Sequence, residues 1–462
     1  MTNSDESGVP EVEAPVTPRP HPDLTPTRRC SGRAAHPVVT STSPATPVGV
    51  AGRSPRHGSF VLVRVAIVTE TFLPSYSGVT TSVCHVVTEL REKGHEVVVV
   101  APGARRTREQ GPAEFAGAPV HRIASVPLRQ FDVGLPSPEI ERVLRDADPD
   151  VVHVASPFVV GARGLAAART LGLPTVAVFQ TDMAAYVRLH TPGPAGVPAA
   201  SAAWRWIRRV HSWADLTLAP SGPSLTDLRD HGVGRTALWR RGVDTRRFSP
   251  VWREDALVRA LRRELAPEGE RLVGYVGRLA PEKEVERLTE LAGLPGTRLV
   301  VVGDGPSRAA VGARLTEAVA GVAGRPNRPP VFLGARHGDD LARAYACLDL
   351  FVHTGTSETF GQTLQEAGAS GLPVVAPARG GPLDLVTDGE NGYLFDPATP
   401  GSLRRAAERA TVEESHRAAL GERGRRRVAG RSWSAVVDEL VAHYRSVQPV
   451  TGRRPEGAVV AA

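Results

Sequence analysis

The sequence predicts an α/β protein made of two doubly wound parallel-sheet domains facing each other across a cleft. Three observations carry that expectation. Short apolar runs, suited to strands covered on both faces, alternate with helical segments along most of the chain. Gly242–Pro250 (GVDTRRFSP) has turn residues and no apolar period, and it divides the alternation into two sets. The length of 462 residues suits two or three domains, at about 100–200 residues each.

The first set opens with Arg64–Thr69 (RVAIVT), a short apolar strand. The loop Glu70–Gly78 leads to a helical pattern over Thr80–Lys93, stopped by Gly94, and then to the strand Glu96–Ala101. Together they read as a βαβ unit. Strands are expected at Asp150–Val154, Thr175–Phe179 and Leu216–Ala219, with helices at Val160–Leu171, Ala199–Ala214 and Ser221–His231. The second set has strands at Leu272–Gly277, Thr297–Val302, Val331–Leu333, Leu350–His353, Val374–Ala376 and Tyr393–Phe395. Its helices are Glu284–Leu291, Arg308–Ala320, Asp339–Cys347, Gln362–Ser370, Pro382–Val386, Pro400–Thr411 and Glu413–Val428. The organisation is therefore 64–245, 246–431 and a last helix, 432–447, expected to cross back to the first domain. Residues 1–63 are rich in Pro, Ser, Thr and Arg without period and read as disordered. A GTG codon at Val63 would also serve as a start, so the extension reads equally as native or as the product of a mis-assigned start. Residues 448–462 read as a disordered tail.

Composition removes several classes. Hydrophobic residues make up 41% and charged residues 23%, as in globular proteins with large cores. Three cysteines, Cys30, Cys84 and Cys347, are too scattered for a disulfide framework or zinc site, which fits a cytoplasmic location. No apolar run approaches the ~18 residues of a membrane span, and the first 30 residues show no leader pattern. The net charge is +7, but only Lys93 and Lys283 are lysines among 56 basic residues. That arginine bias is the mark of a GC-rich genome, so nucleic acid is not the expected partner.

Ser357–Gly381 (SETFGQTLQEAGASGLPVVAPARGG) holds Glu358 and Glu366 with seven residues between them, followed by Gly371, Pro373, Val374, Gly380 and Gly381. Upstream, Gly277–Lys283 (GRLAPEK) and Gly303–Pro306 (GDGP) each follow a strand. In this the chain resembles the retaining, nucleotide-sugar-dependent glycosyltransferases of family 4, which have the GT-B fold of two Rossmann-like domains. The resemblance spans about 64–447. It implies an acceptor-side first domain and a second domain that binds the nucleotide sugar.

A nucleoside diphosphate gains negative charge as the sugar bond breaks, and cations must receive it. Arg278 offers a fork and Lys283 a point charge. The resemblance makes Arg278, Lys283 and Glu358 the catalytic set, with Glu358 on the donor sugar and Glu366 on the ribose. Gly78, Gly303, Gly305, Thr359, Phe360 and Gly361 would complete the donor site, with amides at a helix start adding to it. Many relatives carry a histidine where this chain has Gln180, in Phe179–Asp182 (FQTD). Gln180 and Asp182 are expected to touch sugar or acceptor. Glutamine cannot move a proton, which agrees with a mechanism in which the leaving phosphate takes it. Gly334–Asp340 (GARHGDD) is expected at the base. No metal and no other cofactor is expected beyond the nucleotide-sugar donor.

Other signals are set aside. The Asp146–Asp150 triplets precede a strand and read as a turn, not a cation site. Gly303 and Gly305 lack the third glycine of a dinucleotide loop, Arg308 standing there. His153, His211 and His353 have no metal-ligand spacing. Ser201–Ala214 puts Trp204, Ile207 and Val210 on one stripe beside Trp206 and three arginines, a pattern of core packing or of contact with an anionic membrane. The runs RVAIVTETFLP, FQTD, RGVD and GRLAPEK resemble actinobacterial GDP-mannose-dependent α-mannosyltransferases of glycolipid and lipoglycan assembly. The expected activity is transfer of mannose from GDP-mannose to a lipid-linked or glycan hydroxyl, in the cytoplasm or on the inner face of the plasma membrane. The alternatives are a UDP-sugar donor, and a nucleotide-sugar 2-epimerase.

Overall fold

The computed structural model describes residues 62–448, apart from Tyr76 and residues 104–110, 129–130 and 323–327. The expected extension up to residue 61 and the expected tail from 449 lie outside the described residues. Val63, expected within the disordered extension, is 2% exposed and part of the core. Its N–H donates to His95 Nδ1 at 3.1 Å.

Among the described residues, ten strands precede the turn-rich stretch: β1 (Arg64–Thr69), β2 (Glu96–Pro102), β3 (Glu114–Phe115), β4 (Ala118–Ile123), β5 (Ser125–Leu128), β6 (Phe131–Gly134), β7 (Val151–Ala155), β8 (Thr175–Val178), β9 (Leu216–Ala219) and β10 (Thr236–Leu238). Among the described residues they form a sheet ordered β10-β9-β8-β7-β1-β2-β4-β3 and a separate β5-β6 hairpin. The sheet is parallel except at β3-β4. The second sheet is parallel throughout. It holds β11 (Arg271–Val276), β12 (Thr297–Val302), β13 (Val331–Gly334), β14 (Leu350–Val352), β15 (Val374–Pro377) and β16 (Gly392–Phe395), ordered β13-β12-β11-β14-β15-β16.

The central strands are mainly apolar because helices cover both faces. In β1, Val65 and Ile67 pack with Val83, Val86 and Leu90 of the helix Gly78–Glu92. Ala66 and Val68 pack on the other side with Ile140, Leu144 and Leu165. The last helix, Trp433–Val447, joins the first of these clusters. Trp239 Nε1 donates to the Val436 carbonyl at 3.0 Å, and the Tyr444 hydroxyl meets His153 Nδ1 at 2.8 Å.

The structure adds helices to the sequence reading. Met183–His190 buries one residue, too few to show a period, whereas Ala256–Leu265 sets Val258, Leu261 and Leu265 on one face at a helical spacing that was overlooked. Glu139–Ala147 and β3 to β6 were passed over. The expected helix Glu284–Leu291 is instead two 3-10 turns, Pro281–Lys283 and Val285–Leu291. Glu284 sits between them at φ 47°, its carboxylate held by the Thr356 hydroxyl and by Arg287 Nε at 2.6 Å. Of the Asp triplets, Asp146 lies in the last turn of the helix Glu139–Ala147, and only Asp148 to Asp150 make the expected turn, each of these two taking Arg64 Nη2 at 3.3 Å, at the start of β1.

Strand order reverses between β1 and β7 in the first sheet and between β11 and β14 in the second. Open α/β sheets form their ligand crevice where the order reverses. The loops leaving β11 and β14 carry Arg278, Lys283 and Glu358.

Candidate active site

The loop after β11 is fixed by its neighbour. A side chain on Gly303 would run into the Gly277 carbonyl, and one on Gly305 into that of Leu279. Both glycines have positive φ, 137° and 154°, a region closed to most side chains. The contact is stitched by Leu279 N–H to the Asp304 carbonyl and Ser307 N–H to the Leu279 carbonyl, both 2.9 Å. Gly303 and Gly305 therefore seat the loop that presents Arg278 and Lys283.

Lys283 Nζ donates to Glu358 Oε2 at 2.7 Å, across 75 residues of sequence. The two side chains are 27% and 18% exposed. Burial alone would push the Glu358 carboxyl up. Lys283, with His353 and Arg241 beyond it, outweighs burial and holds it down at about 2. Burial lowers His353 to about 4, so at neutral pH the compensating charge is that of Lys283 and Arg241. Arg278 pairs with Glu282 one turn along the same loop.

Glu358 opens the segment Glu358–Gly361, which leads into the helix Gln362–Ala369. Gly381 makes that segment possible: a side chain there would strike the Phe360 backbone, and its N–H donates to the Glu358 carbonyl at 2.7 Å. Phe360 is buried and anchors the segment. Gly361, at φ 101°, turns the chain into the helix. Thr359 faces the first domain, its hydroxyl donating to the Gln180 carbonyl at 2.9 Å. The Thr359 carbonyl accepts from Ser221 Oγ at 2.7 Å and Ser224 Oγ at 3.2 Å. Glu366, in the second turn, receives the Tyr345 hydroxyl at 2.8 Å. Burial pushes this carboxyl up to about 7, with the Tyr345 bond working against the rise.

From the first domain, Gly78 is the first residue of the helix Gly78–Glu92, which Ser77 caps by accepting from Thr80 N at 3.1 Å. Gln180 follows β8, buried, and its amide oxygen accepts from Arg241 Nη2 at 2.6 Å. Arg241 Nη1 also reaches the Gly78 carbonyl at 3.4 Å. Asp182 caps the helix Met183–His190 by accepting from Ala185 N at 2.8 Å.

The structure thus links Lys283, Glu358, Thr359, Gln180 and Gly78 into one set. Arg278 lies on the Lys283 loop and Glu366 on the adjoining helix. Asp182 stands aside as a helix cap, and Gly303 and Gly305 lie behind the cation loop. Gly334–Asp340 borders a pocket of about 210 Å³ whose lining includes Leu257, Leu333, Arg336, Asp340 and Arg343, but none of Arg278, Lys283, Glu358 or Glu366.

Sequence reading missed Arg241, Tyr345 and Glu70. Arg241 opens the RGVD run, which pointed to the family as a run but gave no role to this residue. Tyr345 reads as a core residue of a helix. Glu70 accepts from the N–H groups of Phe158, Val159, Val160 and Gly161 at 2.7–3.2 Å. It caps, from some 90 residues upstream, a helix that has no side-chain cap of its own.

Comparison with known proteins follows the same division. Residues 76–247 match the family described as Glycosyltransferase Family 4, and residues 259–427 that described as Glycosyl transferases group 1. The GDP-mannose-dependent alpha-mannosyltransferase of Mycobacterium tuberculosis is 46% identical over 404 residues, covering 85% of this chain and 98% of that protein. A protein of the same name from Mycolicibacterium smegmatis is 45% identical, with 85% and 99% covered. The sucrose-phosphate synthase structure from Thermosynechococcus elongatus superposes with a TM-score of 0.69 at 20% identity, covering 83% of this chain and 98% of that one.

Proposed function

The chain belongs to glycosyltransferase family 4, and from that premise we propose that it moves mannose from GDP-mannose to a hydroxyl of a glycolipid or glycan, with retention at the anomeric carbon. The observation that carries the donor is the near end-to-end match to two relatives that both bear the name GDP-mannose-dependent alpha-mannosyltransferase. The chemistry is carried by the cation loop. Lys283 and Arg278 receive the charge that develops on the departing diphosphate, where fixed cations act most strongly. Helix starts at Gln362 and Gly78 add amide donors from the two sides. Glu358, ionised and steadied by Lys283, accepts from hydroxyls of the donor sugar, and Glu366 accepts from the ribose. Gln180 neither gives nor takes a proton, so the acceptor proton leaves on the phosphate, on the face from which the sugar departs.

The test of the donor is thermal stabilisation of the purified protein by GDP, UDP, GDP-mannose and UDP-glucose, followed by transfer to a membrane glycolipid extract. Stabilisation by the guanine ligands and mannosyl transfer are expected. A preference for the uracil ligands would replace the sugar assignment, and donor conversion without acceptor would favour an epimerase. Because Lys283 and Arg278 take the place of a divalent ion, transfer is expected to persist in excess EDTA. Loss with EDTA and recovery with magnesium would overturn that part. The reading extends to the acceptor's surroundings: the exposed face of the helix Gly196–His211 is proposed to rest on an anionic membrane surface.

A further inference from the structure

Building on that reading, we propose that Arg241 is a positioning residue that sets which end of the Gln180 amide faces the reacting centre, leaving the NH2 and not the oxygen for substrate. The two ends of a glutamine amide have nearly the same shape, so a site that uses one of them must fix the choice. A guanidinium has five donors and no acceptor. The amide oxygen must therefore be the atom turned to Arg241, as the 2.6 Å contact from Nη2 has it. Such charge-assisted bonds are about twice as strong as neutral ones. Gln180 Nε2 makes no hydrogen bond among the described residues and is not sealed from solvent. The backbone of Gln180 is pinned as well, its carbonyl accepting from Thr359 Oγ1 at 2.9 Å.

Arg241 is itself built in. It is 7% exposed, its second terminal nitrogen reaches the Gly78 carbonyl, and the next carbonyl, that of Gly242, accepts from Gln362 Nε2 at 3.0 Å. Its side-chain partners are thus neutral oxygens, and its charge stays available to Glu358, which it helps to keep ionised. Burial brings the guanidinium down to about 10, which leaves it charged at neutral pH. The wall near Glu358 then offers Lys283, Arg241 and the Gln180 amide nitrogen, all donors. That suits a substrate whose atoms in that region are hydroxyl and phosphate oxygens.

The decisive variant is Gln180→Glu. It keeps the shape and gives Arg241 a better partner, but it replaces the open NH2 by an acceptor oxygen. Turnover of nucleotide sugar is expected to fall on the order of a hundredfold, the scale of losing one aligned donor, while GDP affinity by calorimetry stays within about threefold (~0.7 kcal/mol). Arg241→Met, which frees the amide to turn, is expected to lower kcat about tenfold or more with little change in donor KM. The double variant Arg241→Met/Gln180→Ala should be no worse than the poorer single, because the two act as a unit. Wild-type kcat in Gln180→Glu, or additive losses in the double variant, would overturn the proposal and leave Gln180 as a mere partner that holds Arg241. If Arg241→Met does not fold, Arg241→Lys serves in its place, since Gln180→Glu already carries the decision. A wild-type protein that binds nucleotides and transfers no sugar would instead defeat the underlying reading.

Discussion

The hydroxyl of Tyr345 and the carboxylate of Glu366 lie 2.8 Å apart, on helices 21 positions apart in sequence. This pair decides how much of Glu366 is ionised. Burial raises the carboxyl from its ordinary 4.5 to about 7, and the phenolic bond is the one force recorded against that rise. A group whose folded pKa is raised favours the fold below its unfolded pKa and loses that contribution as pH climbs through the folded value. For Glu366 the loss runs from about 4.5 to 7. Ribose hydroxyls donate to the ionised form, so nucleotide affinity is expected to rise with pH through the same range. Tyr345→Phe removes the opposing bond, and the inflection should move to higher pH in calorimetric titrations with GDP. An unmoved inflection would mean that Tyr345 does not govern Glu366. At this scale Glu358 and Glu366 were legible because their spacing and the glycines after them form one segment. Tyr345 and Arg241 were not, because their roles depend on partners 21 and 61 residues away that only the fold brings near.

Strands were legible for a physical reason: with both faces covered, a strand must be apolar at every position, and β1 buries every residue after Arg64. Elements with one thin contact, such as Met183–His190, carry no comparable pattern. The helix Gly196–His211 shows both sides of this. Ile207 and Val210 are buried as their stripe predicts, and Trp204 stacks on His231 with centroids 3.8 Å apart. Arg205, Arg208 and Arg209 face outward. Nearby apolar side chains are open too: Val197 is 61% exposed and Leu189 51%, and Trp206 is tethered through Nε1 to the Phe158 carbonyl at 3.2 Å. Three arginines near an anionic surface at about 1 kcal/mol each would supply about 3 kcal/mol of attraction. The triple change Arg205→Ser, Arg208→Ser and Arg209→Ser is expected to abolish sedimentation with phosphatidylglycerol vesicles at moderate salt. Transfer to a soluble acceptor should stay within about twofold, since all three lie outside the linked site. Equal sedimentation of variant and parent would remove the membrane from the proposal.

At the scale of the molecule, two parallel sheets and the helix that crosses between the domains were readable, but the rest of the way they meet was not. Beside that apolar helix, the domains are joined by polar groups with no period: Ser221 and Ser224 on the Thr359 carbonyl, and Asp384 on the Gly222 N–H at 2.9 Å and Arg240 Nη2 at 3.0 Å. Asp384 comes from the segment just after Gly381, whereas Gly222 starts the helix Gly222–Asp230 and Arg240 precedes Arg241. One carboxylate thus reads both the helix start and the approach to the site, and its side chain is 13% exposed. A hydrogen bond to a charged group contributes about 1.5–3 kcal/mol, which applies to the Gly222 N–H, whereas the Arg240 side chain is 42% exposed and its pair adds about 1 kcal/mol or less; together they favour the closed arrangement. Asp384→Ala leaves Gly222 N–H and Arg240 without this acceptor while touching none of Lys283, Glu358 or Gln180. It should therefore shift the unliganded protein toward an open arrangement. The expected result is a larger radius of gyration by small-angle X-ray scattering without ligand, restored when GDP is added. Donor KM should rise by about tenfold, equivalent to ~1.4 kcal/mol of closure made harder. Identical scattering of variant and parent, with unchanged KM, would show that the junction is held by the Thr359 contacts and the crossing helix without help from Asp384.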